Sequence, residues 1–140
     1  MGESEKWKVL VIDDEEGIRR VMRISLEDAG YEVATAEDGK AGLERCETLR
    51  PQIVITDIRM PGMDGIAVLE AVKERFADTE VIVVTAFGEM DLAISALQLD
   101  ASDFITKPVN DEVLFVALER ARERWQVRKQ IKDYTAFLEQ

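Results

Sequence analysis

Five times in its first 116 residues this chain passes from a short apolar run to a segment whose apolar residues recur at helical spacing. The strand-like runs are Trp7 to Ile12, Tyr31 to Ala36, Ile53 to Asp57, Val81 to Val84 and Phe104 to Thr106. Such alternation leaves little choice of architecture. Successive parallel strands need long crossovers, and helices of this length both supply them and cover the sheet. The predicted fold is therefore α/β, a doubly wound five-stranded parallel sheet with helices on both faces.

Local signals set the helix ends. Asp14, Glu15 and Glu16 open the first helix with negative charge where the macrodipole favours it; Ile18, Val21, Met22 and Leu26 mark its apolar stripe, and Gly30 stops it. Asp38 is placed to cap a second helix that Pro51 blocks beyond Leu49. Met60 to Gly65 reads as a loop from its Pro and Gly content. Ile66, Leu69, Val72 and Phe76 mark a third helix; Met90, Ala93, Ile94 and Leu97 mark a fourth. Asn110 caps the last helix, which is predicted to run to the chain end. In it, Leu114, Leu118, Ala121 and Trp125 recur with 4-3-4 spacing and are expected to face the domain. A second stripe, Val127, Ile131, Tyr134 and Leu138, changes phase and has nothing of its own domain to cover. The expected division is a globular domain over residues 6–122 and an extended helix over 123–140. That extension is read as a linker or as a surface pairing with a second copy, so a homodimer through the C-terminal helix is expected; a frayed tail is the plain alternative.

Composition excludes several functions. The formal charge is −11, with the acidic excess in the first 116 residues and a mildly basic tail after them. An acidic body argues against direct nucleic-acid binding, which needs basic charge to displace counterions. Histidine is absent, so no histidine serves as catalyst, metal ligand or phosphoryl donor. Cys46 is the one cysteine, which rules out an internal disulfide, suits a reducing cytoplasm and reads as incidental. No apolar run approaches the ~18 residues of a membrane span. The acidic terminus Met1 to Glu5 lacks signal-peptide character, and Gly2 is not followed by the residues that lipid attachment needs.

Doubly wound sheets bind ligands beyond the carboxyl ends of their strands, at the switch point of the strand order. The residues at those ends are Asp13 and Asp14, Asp57, Thr85 and Lys107; in a 2-1-3-4-5 order the second strand, followed by Glu37 and Asp38, lies at an edge. Each has a plain structural reading. Asp13 and Asp14 suit a helix cap, Asp57 a turn, Thr85 a strand and Lys107 solvent. Met60, Met63 and Met90 read as packing. Their joint placement points elsewhere. Two carboxylates about 4 Å apart repel by roughly 4 kcal/mol at an effective dielectric of 20, and one lysine offsets only part of that. Either a carboxyl group is protonated or a cation sits among them. All-oxygen donors suit a hard cation, magnesium or calcium. A carboxylate, a metal, a lysine and a hydroxyl around one point suit phosphoryl transfer.

Four blocks then carry a family resemblance: Val11-Ile12-Asp13-Asp14-Glu15, Asp57 to Gly65, Val84-Thr85-Ala86 and Ala101 to Pro108. Together they resemble the signature of response-regulator receiver domains of bacterial two-component systems, over roughly Lys6 to Arg122. The resemblance implies a flavodoxin-like fold of order 2-1-3-4-5. It implies that Asp57 accepts a phosphoryl group from a sensor histidine kinase or phosphotransfer protein, and that the domain then signals to an output domain or partner. Magnesium, or manganese in its place, would be held by Asp14 and Asp57, by Asp13 through water, and by the backbone carbonyl of Arg59. Thr85 would hydrogen-bond the phosphoryl group, Lys107 would pair with it, Phe104 would act with Thr85 as the switch, and the Lys107–Pro108 bond would be cis. Apart from its own phosphorylation and dephosphorylation, no enzymatic turnover is implied. Asp100 stands where the family often has glycine, and Phe104 lacks a tyrosine hydroxyl. Arg59 and Phe87, two residues after Asp57 and Thr85, are expected to overhang the line of attack by water and to prolong the phosphorylated state. Aspartate-nucleophile phosphohydrolases place their acids as Asp-x-Asp rather than adjacent, and flavodoxin-type carriers need a Gly/Ser/Thr-rich loop where this chain has Asp-Asp-Glu-Glu.

Overall fold

The computed structural model describes residues 6–140; the reading of Met1 to Glu5 lies outside the described residues. Strands β1 (Lys8–Ile12), β2 (Glu32–Ala36), β3 (Ile53–Asp57), β4 (Glu80–Thr85) and β5 (Asp103–Thr106) alternate with helices α1 (Glu16–Asp28), α2 (Gly39–Leu49), α3 (Gly65–Arg75), α4 (Met90–Gln98) and α5 (Asp111–Leu138). All pairings are parallel, and the strand order is β2-β1-β3-β4-β5. Alternate residues of each strand go to opposite faces, as the two-residue repeat of a strand requires. Leu10, Ile12, Val54, Val81 and Val83 pack with Leu43, Val68, Leu69, Val72 and Ala96 of α2, α3 and α4. Val9, Val11, Ile53, Ile55, Ile82 and Val84 pack with Met22 and Leu26 of α1 and Leu114, Ala117, Leu118 and Ala121 of α5.

The capping expectations hold at α2, where Asp38 accepts from Ala41 N, and at α5, where Asn110 accepts from Val113 N, both at 2.8–2.9 Å. Asp64 does the same for α3. Gly65, read as part of the loop, is the first residue of that helix. Its N–H donates to the Ile58 carbonyl at 2.8 Å, and a side chain on it would collide with the carbonyl of Asp57. Gly30 and Asp100 both take positive φ, 100° and 77°, ending α1 and α4 as left-handed residues do.

Four packing expectations are corrected. Val21 is exposed; α1 buries Met22 and Leu26 instead. On α4, Met90, Ile94 and Leu97 face solvent, because Ala93 and Ala96 let the helix lie close on the sheet and turn the larger side chains away. Cys46, read as incidental, is a fully buried part of the core, where burial pushes its thiol up to about 11. Phe87 is 90% exposed, so it shields nothing from water.

Helix α5 has 28 residues, about 42 Å at 1.5 Å per residue, far beyond the reach of a five-residue strand. The helix is continuous through residue 122. Beyond that point Trp125 packs edge-on to Trp7 with ring centroids 5.2 Å apart. Arg124 Nε and Arg128 Nη2 donate to the two carboxylate oxygens of Glu80 at 3.0 and 2.9 Å, and Lys132 pairs with Asp78. Glu80, the first residue of β4, has 0% of its surface exposed, so two guanidinium groups compensate its buried charge. Beside this ionic stripe, on the adjoining side of the helix, Val127, Ile131, Tyr134 and Leu138 are 48–64% exposed.

Candidate functional site

The strand order reverses between β1 and β3, and the register places Ile12 beside Thr56. The residues that follow, Asp13 and Asp57, therefore meet at the mouth of the crevice. Carboxylate oxygens of Asp13, Asp14 and Asp57 all lie within 4.8 Å of one another. Asp13 and Asp57 are buried, at 3% and 4% exposure, while Asp14 is open to solvent. Lys107 reaches across from the end of β5, and its Nζ donates to Asp57 Oδ2 at 2.9 Å. Its backbone N–H donates to the Thr85 carbonyl at 2.8 Å, which ties the ends of β4 and β5 together. The Lys107–Pro108 peptide is cis. Thr85 is buried at the end of β4, and Phe104 is partly buried against the α2–α3–α4 core.

The electrostatics follow from this crowding. Burial raises the Asp13 carboxyl to about 6; the hydrogen bond from Glu15 N opposes it, and the charges of Asp57 and Asp14 add to it. Burial opposes the charge on Lys107, but its hydrogen bond to Asp57 and the charges of Asp57, Asp13 and Glu15 outweigh that and raise its pKa. A proton or a cation is thus the missing charge.

The donor set fits a hard divalent cation. Asp57 Oδ2 is engaged by Lys107 and Asp13 Oδ1 by Glu15 N, which leaves each of these carboxylates one oxygen for a metal, and Asp14 offers an exposed third. No nitrogen or sulfur donor belongs to the cluster.

Two residues near the site carry interactions the sequence reading missed. Arg59, expected to overhang Asp57, instead donates from Nε to Glu89 Oε2 at 2.6 Å. Glu89 Oε1 accepts from Ala86 N at 3.2 Å. Glu89 lies in the β4–α4 loop with no strand end or motif to single it out. At α1, the capping position falls to Glu15, whose side chain makes no capping bond, and Asp13 gives that turn one oxygen, through the Glu15 N–H.

Residues 9–119 match the family model of the response regulator receiver domain. The chain is 38% identical over 122 residues to the DNA-binding transcriptional regulator NtrC of Escherichia coli, covering 87% of this chain and 26% of that protein. It is also 38% identical over 117 residues to the C4-dicarboxylate transport transcriptional regulatory protein DctD of Pseudomonas aeruginosa, covering 83% and 25%. The chain thus spans about a quarter of the length of these relatives. A receiver domain protein of Clostridium thermocellum superposes with a TM-score of 0.83 at 34% identity, covering 86% of this chain and 98% of that one. NtrX of Brucella abortus, solved with ADP, superposes with a TM-score of 0.88 at 32% identity over 93% of this chain and 30% of its own.

Proposed function

Because this chain belongs to the response regulator receiver domain family, a phosphoacceptor family of two-component signalling, we propose that Asp57 is its phosphoryl acceptor. The observation that carries this reading is the convergence of three carboxylates with a lysine bonded to one of them. Asp57 is the central carboxylate, buried and held by Lys107. In the transfer, an Asp57 carboxylate oxygen bonds to phosphorus as the bond from phosphorus to the donor breaks, and the electron pair leaves with the donor. The donor is a phosphohistidine of a sensor kinase or phosphotransfer protein. Lys107 offsets charge on the incoming phosphoryl oxygens, and the Thr85 hydroxyl donates a hydrogen bond to one of them. Asp13, Asp14, Asp57 and the Arg59 carbonyl would hold magnesium or manganese, which when bound neutralises the carboxylates and the phosphoryl group together. Phe104 and Thr85 transmit the change to α4 and β5. The chain itself catalyses only gain and loss of its phosphoryl group.

The setting proposed is the cytoplasm, in keeping with the absence of any helix long and apolar enough to cross a membrane among the described residues. Residues 6–122 act as the receiver and 123–140 as the lead to an output domain or partner. The test is incubation of the chain with acetyl phosphate, followed by intact mass. One phosphoryl group is expected on the wild type with Mg2+, and none in EDTA or on Asp57→Ala. A stable adduct on Asp57→Ala refutes the assignment.

A second reading, homodimerisation through α5, rests on the exposed stripe of Val127, Ile131, Tyr134 and Leu138 beside the ion pairs that fasten the helix to the body. Sedimentation at tens of micromolar is expected to show a dimer that truncation after Trp125 abolishes. A monomeric wild type overturns this reading.

A further inference from the structure

Arg59 and Glu89 stand on the two loops that flank the acceptor. Arg59 leaves the chain two residues after Asp57, and Glu89 accepts from the N–H of Ala86, the residue after Thr85. One carboxylate therefore spans the β3–α3 and β4–α4 loops. Arg59 is 70% exposed, while Glu89 is 20% exposed and fixed through both oxygens. The hydrogen bond from Arg59, with smaller help from the Ala86 N–H and the charges of Arg59 and Lys107, outweighs burial and holds the Glu89 carboxyl below its ordinary pKa, which keeps it a charged acceptor.

We propose that Glu89 is a positioning residue that withholds Arg59 from the acceptor site until a phosphoryl group competes for it. The proposal rests on Asp57 as acceptor. A guanidinium prefers phosphoryl oxygens, which it can grip with two parallel bonds, to the single bond it makes with Glu89. Transfer of Arg59 to the phosphoryl group removes one of the two ties on Glu89. Glu89 then keeps only bonds within its own loop, from Ala86 N to its side chain and from its own N–H to the Ala86 carbonyl, so the tie between the two loops is released by the group it senses. By the same linkage, the Arg59–Glu89 pair lowers the apparent affinity of the resting site for phosphoryl donors.

The experiment is phosphorylation of the whole chain by acetyl phosphate in saturating Mg2+, followed by intact mass over a range of donor concentrations. An Asp57 carboxylate oxygen bonds to phosphorus as the phosphorus–oxygen bond to acetate breaks, and acetate leaves with the electron pair. Glu89→Gln keeps an acceptor for Ala86 N but gives up the charge that holds Arg59. It is expected to lower the half-saturating acetyl phosphate concentration on the order of fivefold, the ratio an exposed ion pair is worth, with little change in the limiting rate. In an Arg59→Gln background the same substitution is expected to do nothing, whereas a merely structural role for Glu89 in its loop would survive there. Half-saturation within twofold of wild type, or an equal effect with and without Arg59, overturns the proposal while leaving Asp57 as acceptor. A wild type that takes no phosphoryl group on Asp57 overturns both.

Discussion

At the carboxyl ends of the strands Asp13, Asp14 and Asp57 meet Lys107, whereas at the amino ends Glu80, Asp100 and Asp78 meet Lys73, Arg124, Arg128 and Lys132. Both clusters bury carboxylates. At the amino end the buried Glu80 has a guanidinium on each oxygen, and Arg124 extends the network to Asp100. Burial opposes the charge on Asp100, but its bond from Arg124 and the charges of Lys73, Arg124 and Arg128 hold its carboxyl below the usual range. At the other end burial wins, and Asp13 rises to about 6. A compensated cluster fastens one element to another, here α5 to β4. An uncompensated one is kept for something that arrives from outside. The same residue type thus has opposite consequences at the two ends of one sheet.

Removing charge should therefore change stability with opposite sign at the two ends. The larger effect belongs to the amino end. Arg124→Ala with Arg128→Ala leaves Glu80 buried without a partner and is expected to destabilise the protein by about 3 kcal/mol, at the low end of the range for a broken buried pair because both arginines are about a third exposed. Urea unfolding measures it, and a loss below about 1 kcal/mol would erase the contrast between the two ends.

The smaller effect, of opposite sign, belongs to the carboxyl end. Asp13→Asn removes a carboxylate that burial and two like charges disfavour, and is expected to stabilise the metal-free protein by about 1–3 kcal/mol at neutral pH. The direction of its pH dependence follows. A carboxyl group raised from 3.8 to about 6 binds its proton more tightly in the folded chain. Its contribution therefore favours folding at low pH and is lost as pH climbs from about 4 to about 6. Metal-free wild type should lose stability relative to Asp13→Asn across that window, and Mg2+ should narrow or reverse the difference by binding wild type more tightly. A difference between the two proteins that stays constant with pH would count against the uncompensated rim.

Much of this was legible in the sequence because it is carried by short-range pattern. The two-residue and 3.6-residue apolar repeats specify strands and helices, Asp38 and Asn110 cap by local hydrogen bonds, and a parallel doubly wound sheet brings its strand ends to one rim. Asp13, Asp57, Thr85 and Lys107 could thus be named without coordinates. Arg124, Arg128 and Lys132 also recur at helical spacing, a stripe whose meaning depended on Glu80. The tertiary structure alone decided what depends on distance between remote segments. It turned Ala93 and Ala96 rather than Met90 and Ile94 of α4 toward the sheet, sank Cys46 into the core, left Phe87 in solvent, and gave Arg59 to Glu89, 30 positions away. Periodicity says that a helix has an apolar side; which of its side chains are buried, and which charges find partners, follows from how closely the elements pack.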